Sequence, residues 1–344
     1  MDLGGGKFSK QAGGYQDQNR HSITRLILLF ALLFLIICGI ALAYYLSQVE
    51  RIRVEKADEL TSIAASKVNE IEAWRGERMG DGLRVQKNPL VYDSLLNYLN
   101  NPDDQTSKEE IVAWLENIRS ANSYSTYYLL DGQGNILFKD MTHPEELDAE
   151  DTNLVRQAFA NNQIILSDLH VVNDGKLIRL DLMAPVSGQF AHPIAVVVLS
   201  IDPYQFLYPL IQSWPLDSKT AETVLFRKEG DKVLYLNDLR FAPNSAMRLS
   251  FPLSSPDLPA AEALMGNSGP YEGVDYRGSK VLAVSTAIPN TDWYMIAKED
   301  QSEIFAESAR EGWVMAAVLV LALISILSLA FTLIRRQRQI LVNQ

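Results

Sequence analysis

The sequence predicts an α+β fold in which two tandem antiparallel-sheet modules stand on a long N-terminal helix and are flanked by two membrane-crossing helices. Three observations predict it. Apolar runs, charged only at Arg25 near the start of the first, occupy residues 24–46 and 313–334; the stretch after the first run repeats apolar residues at intervals of three and four; and a hairpin, short helix and three-strand meander occur twice in between.

Each run, TRLILLFALLFLIICGIALAYYL and WVMAAVLVLALISILSLAFTLI, is long enough at about 1.5 Å per residue to cross a hydrocarbon core of roughly 30 Å as a helix. The first exceeds a signal-peptide core and is followed by Leu46-Ser47-Gln48-Val49-Glu50, which offers no small-x-small cleavage site, so it reads as an uncleaved anchor. Arg20 lies before it and Arg25 near its start, and Arg335, Arg336 and Arg338 follow the second run, which places both termini in the cytoplasm and residues 47–312 outside, in the periplasm of an inner membrane. Residues 1–46 carry a net charge of +2 and 313–344 a net +3, so of the overall −11 the outer region holds −16. An acidic exterior argues against nucleic acid or anionic lipid as a partner. The one cysteine, Cys38, sits inside the first run, so the outer region has no disulfide and depends on an ordinary apolar core.

Residues 1–23, rich in Gly, Gln and Ser, read as a flexible cytoplasmic tail; Gly4-Gly5-Gly6-Lys7 lacks the flanking strand and the Ser/Thr of a phosphate loop. Residues 47–84 place Val54, Ala57, Leu60, Ile63, Ala64, Val68, Ile71 and Trp74 on one helical face, continuous with the first span. That stripe needs a cover, either the sheet modules or the same helix of a second subunit, and it motivates the expectation of a homodimer. A further helix covers Lys108 to Ser120 with Ser107 as its cap.

From there the period becomes two. STYYLLDGQGNILFKD (125–140) and AETVLFRKEGDKVLYLND (221–238) each read as strand, glycine turn and strand. Short helices follow at Asp151–Asn161 and Leu258–Met265, and then meanders: IILSDLHVV, KLIRLDLMAPV and IAVVVLSID in the first copy; YEGVDY, SKVLAVSTAIP and DWYMIAKED in the second. The turns are Asn173-Asp174-Gly175, Arg277-Gly278 and Asn290-Thr291. Two five-stranded modules result, a distal one at 85–215 and a proximal one at 216–312, and 335–344 begins a cytoplasmic output region that continues beyond the chain.

This order of span, long helix, two PAS-like modules and second span resembles the double Cache sensory domain of bacterial receptors. In the proximal module ETVLFRKEGDKVLYLNDLR and GVDYRGSKVLAVSTAIPNTDWYMIAKED look like the outer domain of PAS-containing sensor histidine kinases and diguanylate cyclases. The resemblance implies reception of a small molecule and transmission of helix motion to a histidine kinase or cyclic-dinucleotide enzyme, or to a chemoreceptor output. The amino-acid-binding branch carries an Arg-x-Trp-Tyr string, which does not occur here; Trp114, Arg119 and Tyr124, Tyr127 and Tyr128 are only loosely comparable. A two-span polysaccharide chain-length regulator is the alternative of another class, but no proline follows Pro289 and the outer region is strand-rich.

No constellation for catalysis emerges. His143, His170 and His192 are far apart, His21 is cytoplasmic, and no Gly-x-Ser-x-Gly elbow or cofactor motif occurs. Asp131-Gly-Gln-Gly-Asn135 lacks the distal Glu of a calcium loop and reads as a hairpin turn. For ligand binding, strand alternation sets Arg179, Asp181 and Met183 on one face of the central distal strand and Ile178, Leu180 and Leu182 on the other. Two charges on an apolar strand are costly in a dry core, so the first face turns to solvent or to a polar pocket. Asp168 and His170 on the neighbouring strand, Tyr127 on the hairpin, and Trp114 and Arg119 on the preceding helix complete a site for a small polar or anionic molecule, without metal or cofactor.

Overall fold

A single helix, α1 (Phe8–Gln86), carries both the first apolar run and the amphipathic stretch behind it. In the computed structural model, which describes residues 8–142, 147–173, 175–189, 192–267 and 269–342, the chain divides into two compact units: Ala57–Asp300, and Met1–Lys56 with Gln301–Gln344. His143, Asp174 and residues 1–7 of the expected tail lie outside the described residues. From Phe8 onward the backbone is helical where a flexible tail is expected, continuous with the first span.

In the unit Ala57–Asp300, α2 (Pro89–Asn100) and α3 (Gln105–Ala121) follow α1, then β1 (Thr126–Leu130), β2 (Ile136–Lys139), α4 (Ala149–Asn161), β3 (Ile165–Leu166), β4 (His170–Val172), β5 (Leu177–Val186), β6 (Ala195–Ile201) and α5 (Leu207–Gln212). The second half holds β7 (Glu222–Glu229), β8 (Lys232–Tyr235), β9 (Ser250–Pro252), α6 (Pro259–Leu264), β10 (Gly269–Val274), β11 (Lys280–Ala287) and β12 (Trp293–Asp300). The sheets run β2-β1-β6-β5-β3, with β4 also on β5, and β10-β11-β12-β7-β8-β9, antiparallel throughout. Each has six strands rather than five. The first distal meander strand breaks into β3 and β4 where Ser167 and Asp168 turn their side chains into hydrogen bonds, and β9 pairs its three residues with β8.

Two helix ends show how local chemistry sets the frame. Asn88 accepts from the amides of Leu90 and Val91, with Pro89 opening α2, a cap and first-turn pair absent from the expected elements. Asp104, not Ser107, caps α3; Ser107 lies in the first turn and donates its hydroxyl to Asp104.

The stripe on α1 is covered by its own chain. Leu60 and Ile71 are fully buried, and Ile71 and Trp74 join Leu95, Leu115, Leu180 and Leu199 in a core that continues to Leu225 and Met295 of the second sheet. Against that reading of the helix, only Val54 remains exposed, so the stripe itself no longer argues for a second subunit. The opposite face of the distal sheet packs Tyr128, Met183, Val196 and Val198 under Val155 and Ala158 of α4. In the second sheet Val224, Phe226, Val281 and Ile296 lie under α6 in the same way.

The other unit contains two helices long and apolar enough to cross a membrane, within α1 and within α8 (Ala306–Val342), which follows the short α7 (Gln301–Ile304). Their large apolar side chains stand exposed, as lipid-facing residues do: Ile40 66%, Leu321 63%, Phe331 62%. At Gly312 a β-carbon would come within 2.9 Å of the Tyr45 ring, so the two helices approach closely there.

Burial on this scale sets a measurable stake. Leu60→Ala should destabilise the unit Ala57–Asp300 by about 2–5 kcal/mol, whereas Leu90→Ala, at a 77% exposed site, should change it by less than about 0.5 kcal/mol. Denaturant unfolding of the whole chain in detergent measures both, and equal losses would contradict the packing.

Candidate functional site

The alternation of β5 carries Arg179 and Asp181 onto the face beneath α4, and that face is closed to water: Arg179 is 1% exposed and Asp181 0%. They turn neither to solvent nor to an open pocket, as the sequence suggests, but into a buried ion network. Arg179 Nε donates to Asp181 Oδ2 at 2.8 Å and its Nη2 to Asp151 Oδ2 at 2.5 Å. Asp181 also accepts from the Ser200 hydroxyl, and its amide donates to Ser167 Oγ at 2.7 Å. Asp151 belongs to the first turn of α4, where Asp148 and Asp151 form a capping box: each carboxylate accepts the other's backbone N–H. One acid thereby starts a helix and neutralises a buried cation.

His170 completes the network. On β4 it pairs directly with Arg179, and its Nε2 lies 3.3 Å from Asp151 Oδ1 and 3.3 Å from Asp181 Oδ2, while Nδ1 is 3.0 Å from the Asp168 carbonyl. Burial opposes its charge, yet the close approach of Asp181, the bond to the Asp168 carbonyl and the charges of Asp181 and Asp151 outweigh it and push its pKa up to about 9. Burial and the Asp181 charge hold Asp151 above the usual carboxylate range, against Arg179 and His170. Burial also works against the Arg179 charge, but its two carboxylates keep it firmly protonated.

The remaining expected site residues are dispersed. Tyr127 points to the opposite face of the sheet, where its hydroxyl donates to Glu116 Oε1 at 3.1 Å; one step of alternation separates it from Tyr128 under α4. Arg119 joins Glu116 at 2.8 Å and Asp140 at 3.5 Å. Trp114 packs on the core beside α1, because it sits on the inward face of α3. Asp168 leaves the network altogether: its carboxylate accepts from Arg227 Nη1 and from Trp293 Nε1, each at 2.6 Å, and so ties the distal loop to the second sheet. Asp151 is the member that the sequence reading missed, although the Asp148-x-x-Asp151 spacing announces a helix start.

A cavity of about 420 Å³ opens at the end of the distal sheet, bordered by Arg119, Arg179, Ser123, Tyr124 and Ser125. Two of the expected residues, Arg119 and Arg179, thus border one cavity, although the Arg179 guanidinium is engaged in the buried network. Behind it the Tyr124 hydroxyl donates to the buried Asp81 at 2.6 Å, with Arg78 over the tyrosine ring at 5.3 Å. Arg119, hydroxyls and main chain in such a cavity, with Asp202 also on its border, suit a small polar molecule.

No family model matches the sequence, and no curated protein matches it. Among solved structures the chain is similar to the sensory domain of the Campylobacter jejuni chemoreceptor Tlp3 (CcmL), with 15% identity over 74% of this chain and 98% of that one and a TM-score of 0.52. The same domain with isoleucine bound gives 16%, 74%, 97% and 0.51, and in complex with 4-methylisoleucine 16%, 74%, 94% and 0.52. The chain shares the fold of those domains. In this unit the buried network lies beneath α4, and the 420 Å³ cavity lies at the edge of the same sheet.

Removing one partner of a buried pair leaves the other charge uncompensated. Arg179→Met should therefore cost about 3–5 kcal/mol and lower the unfolding midpoint by on the order of 10 °C. Because folding raises the His170 pKa from its ordinary value to about 9, its contribution is complete below about pH 6.5 and lost as pH rises through about 9. In metal-free buffer the unfolding midpoint should fall across that window, and His170→Gln should flatten the slope; identical slopes would contradict the assignment.

Proposed function

We propose that this chain is the receiving region of a transmembrane sensor that binds a small polar or anionic molecule outside the cytoplasmic membrane and passes helix motion inward. The observation that carries the reading is the placement of a double Cache unit between two helices able to cross a membrane. The basic residues flanking those helices support cytoplasmic termini and a periplasmic outer region, with 85–215 as the distal and 216–312 as the proximal module. The Arg119–Arg179 cavity is the ligand site in this reading, with Trp114, Tyr127, Asp168, His170 and Asp181 acting through packing and ion pairs around it. No nucleic acid is a partner of so acidic an outer region, and the working unit is a homodimer, in which relative helix motion is read across a two-fold axis.

A ligand shifts a receptor only by its differential affinity for two states. Here α1 offers the two-state element, since its stripe lines the core behind the distal sheet and the same helix contains the first apolar run. Displacements on the order of 1–2 Å are typical of such helix shifts. The output is a histidine kinase or cyclic-dinucleotide enzyme. A chemoreceptor output is a second reading, favoured by the similar sensory domains, which are those of a chemoreceptor. A chain-length regulator is disfavoured by the two strand-rich modules.

Two measurements test this. After Cys38→Ser, a cysteine in place of the exposed Lys228 should react with a membrane-impermeant maleimide in intact cells; reaction only after lysis would overturn the topology. In a thermal-shift screen of the whole chain against carboxylates, amino acids and amines, Arg119→Ala should weaken the responding compound by about 10- to 100-fold with little change in the unliganded midpoint. Unchanged affinity would remove the cavity from the reading.

A further inference from the structure

Three side chains converge on one point beneath the start of α4. His170 Nε2 is shielded from solvent, lies 3.3 Å from a carboxylate oxygen of Asp151 and 3.3 Å from one of Asp181, and forms no linear hydrogen bond with either. Its other nitrogen is turned to the Asp168 carbonyl at 3.0 Å, the arrangement that fixes an imidazole with its second nitrogen presented to a metal. Tetrahedral coordination at about 2.0–2.1 Å holds donor atoms roughly 3.3–3.4 Å apart, which is the spacing seen here. Asp148 adds a further donor: its carboxylate, that of Asp151 and the His170 ring each bring a ligating atom to within 4.8 Å of the others.

Asp151 is also held from behind, through the oxygen turned away from His170, whereas Asp181 gives Arg179 the same oxygen that faces His170. Arg179 bonds Oδ2 of Asp151 and Oδ2 of Asp181, Ser200 bonds Oδ1 of Asp181, and the capping box orients Asp148 against Asp151. We propose that His170, Asp148 and Asp151, with Asp181 beside them, form a binding site for a divalent transition-metal ion of zinc type, which shares only Arg179 with the Arg119–Arg179 cavity. When the ion enters, His170 releases its Nε2 proton and the nitrogen lone pair binds the metal. Three carboxylates, Arg179 and the dication then sum to zero charge, whereas with the imidazolium in place the group carries −1. The mouth opens on a cleft of about 850 Å³ that also presents Glu150, Glu229 and Asp231 against Arg227 and Lys232.

The test uses the whole chain in detergent, stripped with EDTA and titrated with zinc or cobalt(II) chloride. One ion per chain, a rise in the unfolding midpoint, and the strong visible absorption of tetrahedral cobalt(II) are expected. His170→Gln and Asp148→Asn should each weaken zinc by at least roughly tenfold. Asparagine caps helices as well as aspartate does, so Asp148→Asn keeps α4 intact while reducing the donor charge. Absence of the cobalt spectrum, or zinc affinity equal in the wild-type chain and both variants, would overturn the proposal. Neither result bears on the maleimide or ligand-screen outcomes above.

Discussion

Arg179 and Asp181 stand two residues apart on a strand that water does not reach, and the distal module is arranged around keeping those charges satisfied. Each ion taken from water costs several kcal/mol, which mutual attraction offsets only when the geometry is close and the remaining lone pairs are bonded. That requirement accounts for otherwise unconnected features. The capping box brings Asp151 down onto Arg179, the break between β3 and β4 turns Ser167 toward the Asp181 amide, and β6 supplies Ser200 opposite Asp181. In the same cross-strand row Thr126 Oγ1 is buried without a hydrogen-bond partner, which marks how little slack the layer holds.

The second sheet repeats the device with different residues. Lys298 on β12 lies opposite Glu222 on β7, on the face beneath α6, and its ammonium is 2.8 Å from Glu222 and 2.7 Å from Asp275. Arg277 reaches Asp275 at 2.7 Å and also bonds Asp300. Burial works against the Asp275 charge, but Lys298 and Arg277 outweigh it and hold that carboxyl below its usual range. The internal repeat therefore extends past strand order to the position of buried charge: in each module it sits on the sheet face under the connecting helix, at the edge of the apolar layer. Such paired charges specify the register of helix on sheet, since any slip would strand an ion in the core.

What could be read from the sequence follows from which forces are local. Apolar runs, helical stripes and two-residue alternation are properties of neighbours along the chain, so α1, the meanders and the common face of Arg179 and Asp181 were legible. Alternation does not say what covers a face, so the sequence leaves open which of Tyr127 and Tyr128 lies under α4. Asp168 was placed by the same alternation, but the strand breaks before His170 and sends the carboxylate to Arg227 and Trp293, partners 59 and 125 residues away. β9 escaped because three residues ending in proline acquire strand geometry only from pairing with β8. Asn88-Pro89 and Asp148-x-x-Asp151 were readable helix starts, and the second of these held the missing partner of Arg179.

The residue that leaves the network also joins the parts of the outer unit. His170 reaches the Asp168 carbonyl through Nδ1, the Asp168 carboxylate is gripped by Arg227 and Trp293, and Arg75 of α1 lies over the Trp293 ring at 5.6 Å. Leu169, between the two, is buried in the core shared by both sheets and α1. A contiguous set of bonds thus runs from the helix that closes the distal sheet, through one loop residue, to the proximal sheet and the long helix. Networks of this kind carry coupling when their members have two discrete arrangements. An imidazole held between two carboxylates is such a member, because its proton or an ion in its place decides which of them it binds.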